Sequence, residues 1–93
     1  MAFKIEDAKQ ITVGTTAVSE NVNYRDFMIV NNSTTATVYL KEKETDNTAA
    51  TATNGFALLP GATVQYPMTA AELSLIASAA GTTVTILYGR DIK

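Results

Sequence analysis

The residues able to do chemistry are nine carboxylates, seven cations, four tyrosines and many hydroxyls, because the 93-residue chain has no histidine and no cysteine. Their absence removes the commonest acid–base group, the thiol nucleophile, disulfide bonding and the usual zinc ligands. A hydroxyl nucleophile needs a base beside it, and without histidine only carboxylate pairs could serve. The acids are Glu6, Asp7, Glu20, Asp26, Glu42, Glu44, Asp46, Glu72 and Asp91. Most fall in segments that read as termini, turns or polar loops, where solvated surface charge is the ordinary role. Glu42, Glu44, Asp46 and Asn47 could gather oxygen ligands for calcium, but they lack the spacing and the glycine of the known calcium loop. Gly14-Thr15-Thr16 has neither the lysine nor the further glycines of a phosphate-binding loop. Overlapping glycosylation triplets at Asn31-Asn32-Ser33-Thr34 carry no meaning without secretion. We therefore expect no catalytic residue, no metal site, no cofactor and no enzymatic activity.

Tyr24, Tyr39, Tyr66 and Tyr88 offer a different chemistry, since aromatic faces stack on sugars. Tryptophan, the better platform, is absent. Tyrosines in strands are more simply core or interface residues. A glycan-binding module acting in attachment to a host surface is nevertheless the alternative reading.

The length suits one domain and excludes two. A net charge of −2 supplies no basic face to displace counterions from phosphates, so a nucleic-acid partner is not expected. The first residues, Met1-Ala2-Phe3-Lys4-Ile5-Glu6-Asp7, lack the basic start and apolar stretch of a secretory signal. No apolar run reaches bilayer-spanning length, which argues against a membrane partner. Synthesis and folding in a cytoplasm are expected.

Threonine (15) and alanine (14) dominate, and threonine with valine, isoleucine and tyrosine favours strands. Short alternating runs broken by turn residues predict an all-β fold: an antiparallel β-sandwich, or small barrel, of about seven strands. Phe3-Lys4-Ile5 and Ile11-Thr12-Val13 alternate briefly. Tyr24 to Val30 and Ala36 to Glu42, separated by Asn31-Asn32-Ser33, read as an antiparallel hairpin. Residues 43–53 read as an exposed loop or weak edge strand. Asn54-Gly55 carries the strongest two-residue hairpin signal, and Pro60-Gly61 ends the short run Phe56-Ala57-Leu58-Leu59. Ala62 to Tyr66 and Thr82 to Tyr88 alternate as strands. Over 69–80 helix and strand signals compete. Thr69-Ala70-Ala71-Glu72 fits a capping box, whereas Leu73, Leu75 and Ala77 alternate, and one helical turn over 69–72 feeding a strand is favoured. Period-2 placement predicts a core of Phe27, Ile29, Val38, Leu40, Phe56, Leu58, Val64, Val84 and Ile86.

Several motifs occur in a suggestive order. Phe27-Met28-Ile29-Val30-Asn31-Asn32-Ser33 precedes Thr37-Val38-Tyr39-Leu40. Asn54-Gly55-Phe56-Ala57-Leu58-Leu59-Pro60-Gly61 follows, then Leu73-Ser74-Leu75-Ile76-Ala77-Ser78 and Gly81-Thr82-Thr83-Val84-Thr85-Ile86-Leu87. The series resembles small tailed-bacteriophage virion proteins of the head-decoration or accessory type. It spans residues 24–88, leaving 1–23 as an N-terminal extension or arm of a single domain over 1–93. The resemblance implies a structural, non-enzymatic protein that is made in the host cytoplasm and resides in the virion. Its partners would be other virion proteins of the capsid, neck or tail. No residue of catalytic importance is carried over.

Large apolar side chains occur on both parities of several strands. If the core set faces inward, Met28, Val30, Leu59, Ile76 and Leu87 face outward, with Tyr39 beside them. These six residues are the expected interface. An exposed apolar patch more often marks association than a monomer surface. We expect a homo-oligomer, a trimer by resemblance to decoration proteins, or docking on a shell protein.

Overall fold

In the computed structural model, which describes residues 2–22, 26–43, 49–66 and 71–92, the chain crosses between two antiparallel sheets at six of its seven strand connections. Side chains are described over 5–22, 26–43, 49–65 and 71–89. Strands β1 (Ala2–Val13), β8 (Thr82–Ile92), β3 (Asp26–Asn31) and β6 (Thr63–Tyr66) form the first sheet in that order. Strands β2 (Val18–Asn21), β7 (Glu72–Ala77), β4 (Val38–Glu42) and β5 (Phe56–Leu58) form the second. The fold is a β-sandwich with no helix among the described residues. Residues 2–21 supply one edge strand of each sheet. The shortest dimension of the molecule is 18 Å, as expected for two sheets packed about 10 Å apart.

Compared position by position, the two strand orders are the same sequence of neighbours. Strand β1 matches β2, β8 matches β7, β3 matches β4, and β6 matches β5. Each matched pair is joined directly, by residues 14–17, 78–81, 32–37 and 59–62. The registers put all four connections, which we call arches, at one end of the sandwich: Val13 is opposite Thr82, Asn31 opposite Val84, and Val30 opposite Thr63. Backbone hydrogen bonds link each arch to the next. Ala77 N–H donates to Gly14 O (2.8 Å), Ser78 N–H to Thr37 O (2.9 Å), and Gly61 N–H to Asn31 O (3.1 Å).

This arrangement replaces the expected hairpin. Strands β3 and β4 lie in different sheets, so the Asn31-Asn32-Ser33 turn spans the core instead of joining ladder partners. Its chemistry is nonetheless that of the sequence signal. Asn31 Oδ1 accepts from Ser33 N–H (3.0 Å), and Ser33 Oγ accepts from Ala36 N–H (2.8 Å). Such side chains bond to nearby amides and so stabilise a turn. The Asn54-Gly55 turn also differs: its backbone bond runs from Gly55 N–H to Thr51 O, and Gly55 has no positive φ. Glycine is needed there for closeness, because a Cβ would stand 3.0 Å from Tyr39 Cβ. Positive φ occurs instead at Gly61 and Gly81. Leu59-Pro60-Gly61-Ala62 closes with Ala62 N–H on Leu59 O (2.9 Å), and its φ of +76° at the third position is the mark of a type II turn.

The core consists of Val13, Val22, Phe27, Ile29, Val38, Leu40, Leu58, Leu73, Leu75, Ala77, Val84, Ile86 and Tyr88. Val64 packs against it half-buried. Phe56 departs from expectation, being 54% exposed. Its parity is the inward one, opposite Leu40, but β5 is an edge strand and nothing described covers its flank. The strand signal prevails at Leu73, Leu75 and Ala77, with Glu72 opening β7; Thr69 and Ala70 of the expected helical turn lie outside the described residues.

Two stability tests follow from this packing. Ile86→Ala should cost about 2–5 kcal/mol through lost burial and the cavity left behind, whereas exposed Phe56→Ala should cost under about 1 kcal/mol. A denaturant titration separates the two. Asn31→Ala should cost about 2–4 kcal/mol, because the Leu58 and Ala36 carbonyls and the Ser33 amide lose their partner. Exposed Asn32→Ala should cost under about 1 kcal/mol in the same titration.

Candidate interaction surfaces

The six outward-facing apolar residues divide between two faces. Met28, Val30 and Leu87 come together on the outer face of the first sheet: Met28 is the ladder partner of Leu87, and Val30 follows two positions on. All three are half-buried. Ala8 is the partner of Leu87 on β1 and extends the row. The register of β1 slips between Ile5 and Asp7, placing Ile5 opposite Gly89 and so on this same outer face, where it is 54% exposed. A bulge of this kind re-aims a side chain, and no alternation in the sequence announces it. Asp26, opposite Gly89, puts one carboxylate at the margin of the patch.

Tyr39 and Ile76 are ladder partners on the outer face of the second sheet, away from the other three. That face is partly covered. Ala50 N–H donates to Ser74 Oγ (2.9 Å), Ser74 and Ala50 are both buried, and Gly55 crosses close over Tyr39. Leu59 stands apart at the end of β5, 60% exposed. One continuous patch of six residues is therefore not formed.

The tyrosines do not assemble as a stacking platform among the described side chains. Tyr88 is a core residue, its ring centroid 6.5 Å from that of Phe27, and Tyr39 is half-buried. Tyr24 and the Tyr66 side chain lie outside the described residues, as do Glu44, Asp46 and Asn47 of the considered calcium set. Asn31 of the first glycosylation triplet is fully buried, with its amide donating to Ala36 O and Leu58 O.

The charged residues show a segregation that sequence reading missed. All lie within 4–9, 20–26, 41–46, 72 and 90–93, leaving 10–19, 27–40, 47–71 and 73–89 without charge. By register, the charge-free stretches include the whole arch end, and the described charges lie toward the opposite end. There Glu20 joins the sheets: it accepts from Lys9 Nζ (2.9 Å) and from the Tyr88 hydroxyl (3.4 Å). At the arch end an open cleft of about 390 Å³ lies between residues 32–36 and 79–83, lined by hydroxyls and small side chains. Among the described residues no group of acids, histidines or cysteines could hold a metal ion, and no helix is long and apolar enough to cross a membrane.

The class defined by this architecture is a small antiparallel β-sandwich whose sheets are joined through stacked arches. No protein-family model, curated protein or solved structure matches the chain.

The facing of the outer patch is testable by charge insertion. Leu87→Asp should leave a cooperatively folded protein, losing under about 2 kcal/mol, because the new carboxylate reaches solvent. Ile86→Asp, one residue away, should abolish folding by burying an unpaired charge. Thermal unfolding followed by circular dichroism distinguishes them.

Proposed function

We propose that the chain is a non-enzymatic structural component of a tailed-bacteriophage virion, a capsid decoration or accessory protein that docks on other virion proteins. The observation that carries this reading is the outer face of the first sheet. Ile5, Met28, Val30 and Leu87 form an apolar surface there that no described segment covers. Burying one such side chain contributes about 1.5–3 kcal/mol, so a few suffice to hold a partner. Asp26 at the margin gives that partner a charge to complement, which favours orientation and specificity over raw affinity. The motif order over residues 24–88 supports the same role.

The alternative, a glycan-binding module, draws support from the uncharged, hydroxyl-lined cleft between residues 32–36 and 79–83, whose chemistry suits a neutral polyol. The two readings separate in one pair of measurements. Co-sedimentation with empty phage shells, reduced at least about tenfold in affinity by Leu87→Asp, is the expected result for the structural role. Specific retention on a glycan array, abolished by a bulky substitution at Thr83 and untouched by Leu87→Asp, would establish the alternative instead.

A further inference from the structure

Of the six asparagines in the chain, Asn54 alone precedes a glycine. That pairing is the most reactive setting for loss of a side-chain amide, because a glycine Cα does not hinder its own nitrogen as a nucleophile. Packing imposes the glycine: a Cβ at position 55 would meet Tyr39 Cβ at 3.0 Å, Thr51 O at 3.1 Å and Leu40 N at 3.2 Å. The loop imposes the asparagine, whose Oδ1 accepts from Thr51 N–H (2.7 Å) while its Nδ2 donates to Ala49 O (3.2 Å). Thr51 to Asn54 are exposed, so water reaches the pair. In the closed loop, however, both reacting groups are occupied. The nucleophile, Gly55 N–H, donates to Thr51 O (3.1 Å), and each polar atom of the amide is bonded to the backbone of residue 49 or 51. The loop is tied in turn to the second sheet, through Ala50 N–H on the buried Ser74 Oγ (2.9 Å).

We propose that Asn54 is a deamidation site kept latent by the closed 49–55 loop, and that reaction in the opened loop prevents it from closing again. Local opening of this kind costs less than global unfolding. Base removes the Gly55 amide proton, and the nitrogen attacks Asn54 Cγ. A new Cγ–N bond forms, the Cγ–Nδ2 bond breaks, and Nδ2 takes a proton from water and leaves as ammonia. Water then opens the five-membered imide at either carbonyl, giving aspartate or isoaspartate with no change of oxidation state. Neither product refits the loop. Aspartate sets a carboxylate against Ala49 O, where the amide donated, and brings charge into residues 47–71, which have none. Isoaspartate lengthens the backbone by one atom beside Gly55, where even a Cβ has no room next to Tyr39. Either change removes the cover from Ser74 and Tyr39 on the outer face of the second sheet. This inference does not depend on the virion reading, because it concerns the isolated protein.

The test is peptide mapping by mass spectrometry of the full chain, incubated at mildly alkaline pH in buffer and in guanidinium chloride. Asn54 should convert at least about tenfold faster in the denaturant than in buffer. Ser74→Ala leaves the reacting pair untouched but frees Ala50 N–H. It should speed conversion in buffer about threefold or more and leave the rate in denaturant unchanged. Asn54→Asp, which stands for one product, should hasten hydrogen exchange at the Ala50 and Gly55 amides while circular dichroism shows the fold retained. Equal rates in buffer and denaturant would overturn the inference, as would an Asn54 that converts in neither. So would a folded Ser74→Ala protein that converts at the parental rate, or an Asn54→Asp loop that exchanges like the parent.

Discussion

A buried asparagine is tolerated in an apolar interior only while its polar atoms are bonded, and at Asn31 that requirement holds the arch end together. The side chain is fully buried, donating to Ala36 O and Leu58 O and accepting from Ser33 N–H. Its backbone adds bonds with Ala62 O and from Gly61 N–H. One residue at the end of β3 thus fixes its own arch, the carbonyl end of β5 in the other sheet, and the turn that leads on to β6. The apolar core supplies most of the driving force, but it is indifferent to which loop lies beside which. Directional bonds at Asn31 decide that order, and the arch-to-arch bonds at Gly14 and Thr37 extend it across the sandwich.

The composition of the arches accompanies the segregation of charge. Stacked arches bring four connections into close contact, and apart from Leu59 their residues are glycine, alanine, serine, threonine, asparagine and proline. Small side chains with hydroxyls can serve as local acceptors, as Ser33 and Ser78 do. At the other end, Lys9 and Glu20 reach across between the sheets, and the Tyr88 hydroxyl finds its partner in the same carboxylate.

Much of the fold was legible because period-2 alternation reports which way a side chain points. It placed Phe27, Ile29, Val38, Leu40, Leu58, Val84 and Ile86 in the core and Met28, Val30 and Leu87 outside it. Alternation says nothing about what lies over a face, and so Phe56 was assigned to the core although β5 is an edge. For the same reason the cover that residues 49–55 give to Ser74 and Tyr39 went unread. The Asn31-Asn32-Ser33 signal correctly announced a turn and its side-chain bonds, but a turn does not declare whether its strands pair in one sheet or face each other across two. Residues 6–10 did not read as strand because both faces of an edge are exposed there. The bulge after Ile5 lies in that same polar stretch, and it hid a member of the outer patch.

The position of β8 between β1 and β3 has a consequence for how the chain is made. Residues near the start of the chain pair with residues near its end, Ala2 with Ile92 and Val13 with Thr82. Contacts so distant along the chain make folding slow, since their loops must close before any ladder bond rewards them. During synthesis β1 and β3 leave the ribosome with the central strand of their sheet still missing. Neither can complete its ladder until the β8 residues emerge, although β3 can already pair with β6, so the first sheet stays incomplete until β8 has been made, with edges open to other nascent chains until then.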